Sequence, residues 1–152
     1  MKITLHQDDR FDDTEIVINC SSVDEDILQI VSMLRIFQQK LTGVKDGETH
    51  IVDLKSLLYI ESVDKKTFFY TESDVYETPL RLYELEDRLS DFDFFRVSKS
   101  TIVSFLQIRS IRPELGGRMI LTMKNGEKLY VSRQYASSLK QKLKSLERRS
   151  LK

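Results

Sequence analysis

Asp46-Gly47 and Asn125-Gly126 each stand between short runs of β-branched and aromatic residues, in "TGVKDGETHIV" and "RMILTMKNGEKLYVSR". A two-residue hairpin turn needs positive φ at its centre, which Asn, Asp and Gly adopt at least cost, so each dipeptide commits its flanks to antiparallel pairing. Most of the chain between them is further short strand-like runs: "SLLYIESV", "TFFYTES", "DVYETP", "RVSKSTIVSF" and "IRSIRPE". Two helical stretches interrupt this pattern, "LRLYELEDRLS" and the terminal "RQYASSLKQKLKSL". Strands at such spacing predict an antiparallel, mainly β domain over about residues 43–146.

Ahead of that domain, "KITLH" and "EIVIN" alternate around the acidic loop "QDDRFDDT" and predict a hairpin or a pair of edge strands. Next, "SSVDEDILQIVSMLRIFQQKL" predicts an amphipathic helix: Ser22 can cap it, and Asp24, Glu25 and Asp26 suit its first turn. Ile27, Ile30, Val31, Leu34, Phe37 and Leu41 recur at helical spacing as one apolar stripe, for packing within the chain or for dimerisation. Residues 1–42 therefore read as a small α+β appendage, and residues 147–152 as a basic tail.

An apolar content of 40% with 5 Gly and 2 Pro belongs to a folded globular chain. The single cysteine, Cys20, cannot form an internal disulfide, no run is long enough to cross a bilayer, and the amino terminus lacks a signal-peptide core. Cytoplasm is the expectation. Catalytic and metal chemistry find no purchase: the histidines, His6 and His50, are isolated, with His50 on a hairpin arm. "QDDRFDDT" lacks the Gly and closing Glu of a calcium loop, and no Gly-rich phosphate loop occurs. Glu84 and Glu86 read as the solvated face of a helix. Neither an enzyme nor a cofactor is expected.

The zero net charge is a cancellation. Residues 1–93 hold 10 Lys+Arg against 21 Asp+Glu, a net of −11, while residues 94–152 hold 14 against 3, a net of +11. Such asymmetry points to a polyanion-binding half, or else to a solvated basic face that docks acidic protein partners. Three junctions between elements carry cations beside small hydroxyl residues: Lys65, Lys66 and Thr67; Arg96, Ser98, Lys99, Ser100 and Thr101; Ser132, Arg133, Gln134 and Tyr135. Lys and Arg neutralise phosphates, hydroxyls fix register, and Arg or Gln can pair with base edges, a combination suited to duplex DNA.

"FFRVSKSTIVSFLQIRSIRP" followed by "GRMILTMKNGEKLYVSRQY" resembles the LytTR family of bacterial DNA-binding domains, and "LLYIESVDKKTFFYTESDVYETPLRLYELEDRL" is similar to that family's first half. The resemblance implies elongated antiparallel β-sheets with a few short helices, whose loops enter successive major grooves in place of a recognition helix. It implies DNA contacts from Lys65, Lys66 and Thr67, from Ser98, Lys99 and Ser100, and from Arg133 and Gln134. Ser98 stands where many members carry His, and Gln134 where many carry a second Arg. Arg96, directly after Phe94 and Phe95, is expected to brace its loop from within. Residues 1–42 are too short for the receiver domain found in many members. The chain thus resembles the stand-alone branch, which implies promoter repeats as target, a homodimer at least on DNA, and a small membrane-protein antagonist encoded nearby.

Overall fold

The computed structural model describes residues 1–150, with side chains as far as Glu147. Its chain divides into two compact units, residues 1–34 and 35–152.

In the first unit, residues 1–24 contain no strand, so the expected amino-terminal hairpin does not form. Ile3, Leu5, Ile16 and Val17 stay exposed; an isolated pair of short strands has too little to bury against to hold itself together. Helix α1 (Glu25–Gln38) follows and runs past residue 34. It is capped by Asp24 and not by Ser22: the Asp24 carboxylate accepts the Ile27 N–H at 3.0 Å, while the Asp24 carbonyl accepts Leu28 N–H at 3.1 Å. Of the predicted stripe, Phe37 is 71% exposed, and Leu41 has left the helix for the next strand.

The second unit is built on a seven-stranded antiparallel sheet. Strands β1 (Lys40–Lys45) and β2 (Glu48–Asp53) form the first hairpin around Asp46-Gly47, both at positive φ. Because β1 begins at Lys40, the expected boundary at Thr42-Gly43 falls inside a strand. Gly43 is required there: a Cβ would lie 2.5 Å from the Phe69 ring and 2.7 Å from Tyr76. Strands β3 (Tyr59–Val63), β4 (Lys66–Tyr70) and β5 (Val75–Thr78) form a meander; β6 (Phe94–Ser98) and β7 (Thr101–Ser104) form another hairpin. The order across the sheet is β2-β1-β5-β4-β3-β7-β6. A Lys45–Asp74 ion pair clasps the tip of the first hairpin to the β4–β5 turn, and Lys45, then Ser73, hold the Asp74 carboxyl below its ordinary value.

Helix α2 (Leu82–Leu89) lays Leu82, Leu85 and Leu89 on this sheet, a spacing that puts them on one helical face. They join Leu41, Leu57, Ile60, Phe69, Phe94 and Ile102 in one core. A smaller sheet, ordered β10-β9-β8, comprises β8 (Ile108–Pro113), β9 (Met119–Met123) and β10 (Lys128–Val131), with Asn125-Gly126 in the β9–β10 turn. Helix α3 (Arg133–Ser150) closes a second core made of Phe95, Val97, Val103, Leu121, Met123, Val131, Ala136 and Leu139. Side chains alternate faces along a strand. Phe94 and Ile102 therefore serve the first core while Phe95, Val97 and Val103 serve the second, which is why "FFRVSKSTIVSF" is apolar on both faces. Of the expected carboxy-terminal tail, residues 147–150 continue α3, and 151 and 152 lie outside the described residues. Among the described helices none is long and apolar enough to cross a membrane.

Candidate nucleic-acid interface

Three cationic junctions, far apart in sequence, converge at one end of the larger unit. The first is the β3–β4 turn, where Asp64 and Lys65 take φ of 50° and 68° and Val63 pairs with Lys66. Positive φ at both central positions twists the turn as a right-handed hairpin demands. Lys65 and Lys66 are exposed at its tip. Thr67 is not: it is 5% exposed, paired with Ser62 on one side and Thr78 on the other, so it holds the sheet and has almost no surface to offer a ligand.

The second junction is the β6–β7 turn. β7 pairs with β3 through Glu61 and Thr101, and the Ser62 N–H donates to the Ser100 carbonyl at 2.8 Å, which sets this turn beside the first. Arg96 braces it. Its Nε donates to the Ser98 carbonyl at 2.8 Å, one terminal nitrogen donates to the Lys99 carbonyl, and the other reaches the Glu86 carboxylate at 2.9 Å. Glu86 is thus an anchor and not simply part of a solvated face. The Ser98 hydroxyl accepts the Ser100 N–H at 3.2 Å and lies 3.4 Å from the Ser100 hydroxyl. These bonds stiffen the turn across the register shift between Arg96 and Ser98, and leave Lys99 and Ser100 exposed at its tip.

The third junction joins β10 to α3. The Ser132 N–H donates to the Val97 carbonyl at 3.0 Å, tying it to the strand that carries the second turn. Arg133 and Gln134 are exposed as the first residues of α3, whose first turn contains no acidic side chain. Free backbone N–H groups and the positive end of the helix dipole there favour an anion. The Arg133 stem runs along Gly117, where a Cβ would lie 3.2 Å from Arg133 Cγ.

Lys65, Lys66, Lys99 and Arg133 have no carboxylate partner among the described residues, whereas Arg96 at the same end is consumed by Glu86. Cations held on rigid turns and left unneutralised suit a polyanion. Elsewhere, His50 sits against the Tyr76 ring at 5.4 Å, and no group of three metal-ligating side chains occurs among the described residues. Burial, and then Glu127, push the Tyr59 phenol well above its ordinary 10.

Comparison with known proteins shows the family. The model of the LytTR family, the LytTr DNA-binding domain, matches residues 47–144. This chain belongs to the LytTR family. It is 28% identical to an HTH-type transcriptional regulator of Staphylococcus aureus (strain NCTC 8325 / PS 47), with 94% of this chain and 98% of that protein aligned. An HTH-type regulator of strain MRSA252 is 27% identical over the same shares. Among solved structures, the LytTr DNA-binding domain of a Bacillus cereus protein superposes with a TM-score of 0.66 at 30% identity, covering 69% of this chain and 96% of that one. All three junctions lie inside the matched residues of this LytTR chain.

Proposed function

We propose that this LytTR chain is a sequence-specific bacterial transcription regulator that binds direct repeats in a promoter, one copy per repeat. Lys99 and Arg133 reach base edges, Gln134 pairs with adenine, and Lys65, Lys66 and Ser100 hold phosphates. The observation that carries the proposal is the convergence of three unneutralised cationic turns through the Ser62–Ser100 and Ser132–Val97 hydrogen bonds. One such end covers about half a site, and sequence-independent binding of about 10⁻⁴ to 10⁻⁶ M is too weak alone. Two copies on one DNA face need repeats spaced by about 10.5 bp or a multiple of it. We extend the proposal to restraint by a small membrane protein, as in the stand-alone branch.

The test is an electrophoretic shift on the chain's own upstream region. Cooperative binding to two repeats should resist competitor DNA and vanish when about half a helical turn is inserted between them. Cooperativity unchanged by the insertion contradicts paired binding, and no retained complex at any salt contradicts the regulator assignment.

A further inference from the structure

The outer face of the three-stranded sheet takes no part in the contacts assigned above. Met119, Leu121 and Met123 turn inward to the second core, so alternation turns Ile120 and Thr122 outward. Ile120 pairs with Tyr130 on one side and Arg112 on the other; Thr122 pairs with Lys128 and Ser110. Ile120 is only 5% exposed although it faces outward between Arg112 and Tyr130 of the two neighbouring strands. Tyr130 is itself 60% exposed, and Arg112 and Lys128 are exposed with no carboxylate partner among the described residues. The face is therefore cationic and aromatic over a sealed apolar floor.

Its position matters as much as its charge. The Arg112–Ile120–Tyr130 row lies one register step from Met119–Val131, and Val131 precedes Ser132 of the third junction. The Ser110–Thr122–Lys128 row lies two residues further away, about 7 Å along the strands. Successive phosphates of one strand advance about 3.4 Å along the duplex axis, so cations on the two rows meet different phosphates.

We infer that this face holds the phosphate backbone of the duplex flanking the repeat, Arg112 and Lys128 each neutralising a phosphate and the Tyr130 hydroxyl donating to one. The inference rests on the proposed regulator function. Charge complementarity selects a polyanion, and continuity with the proposed contact end selects duplex DNA over an acidic polypeptide.

The experiment compares wild type with the Arg112→Gln/Lys128→Gln and Arg112→Glu/Lys128→Glu variants by fluorescence anisotropy, each checked for fold by circular dichroism. Two duplexes carry the same repeats from the chain's upstream region, one trimmed at the repeats and one with about one further helical turn on each side. Wild type should bind the flanked duplex more tightly than the trimmed one. Both variants should lose that advantage, the Gln pair lowering the salt slope on flanked DNA by about 2, while all three proteins bind trimmed DNA alike. Variants indistinguishable from wild type on flanked DNA, the result if an acidic polypeptide were the occupant, overturn the inference. Equal losses on both duplexes do so too, and so does a wild type indifferent to flanks. Failure of wild type to bind either duplex removes the regulator function itself; binding without a flank effect removes only this inference.

Discussion

Arg96 shows what a single residue contributes to this interface without touching a ligand. Its guanidinium ties two turn carbonyls to the α2 carboxylate of Glu86, a planar fork that a lysine ammonium cannot reproduce. Arg96→Ala should lower stability by about 1 to 3 kcal/mol in urea unfolding and weaken DNA binding through loss of turn order, with Arg96→Lys restoring little of either. A variant with wild-type stability and affinity would show the brace to be dispensable. The bracing role was legible in the sequence because Arg96 follows two core aromatics, but Glu86 was not, since only the packing of α2 onto β6 brings it near. Thr67, expected among the DNA contacts, is buried. It shares a strand face with Phe69, so period-two alternation already placed it inside, and the neighbouring lysines obscured that signal.

At the scale of elements, both hairpins form where the Asp-Gly and Asn-Gly dipeptides stand, with positive φ at Asp46 and Gly47 in the first turn and at Gly126 alone in the second. The amino-terminal pair fails because alternation alone supplies no partner. Pairing across the sheet was not legible: nothing local in β3 says that it lies between β4 and β7. The Lys45–Asp74 clasp is one such long-range product. Lys45 lowers the Asp74 pKa from an ordinary 3.8, so the folded state binds that proton less readily than the unfolded chain does. The clasp's contribution to stability is present above pH 3.8 and is lost as pH falls through the depressed folded value. The stability difference between wild type and Asp74→Asn should therefore be largest near neutrality and shrink under acid, as followed by thermal unfolding. A difference that grows on acidification contradicts the assignment.

The whole chain balances an acidic leading part against a basic trailing part, yet the proposed contact end draws Lys65 and Lys66 from the acidic part, so net charge by segment outlines the candidate interface only coarsely. Residues 1–34 carry 2 Lys+Arg against 8 Asp+Glu and form their own compact unit. Removing residues 1–34, and stopping short of β1, should leave half-site affinity nearly unchanged while weakening paired binding. A truncated protein that folds but has lost all half-site affinity would place DNA contacts where none are assigned. The claim that the converged turns read DNA is tested most directly by an anisotropy titration of Lys99→Ala/Arg133→Ala, with Lys144→Ala as control, on the cognate repeat at moderate salt. Each contact that reads a base should be worth about 1 to 3 kcal/mol, with preference relaxed at the base each residue reads, and Lys144→Ala should bind as wild type does. Wild-type affinity in the folded double variant would contradict the account.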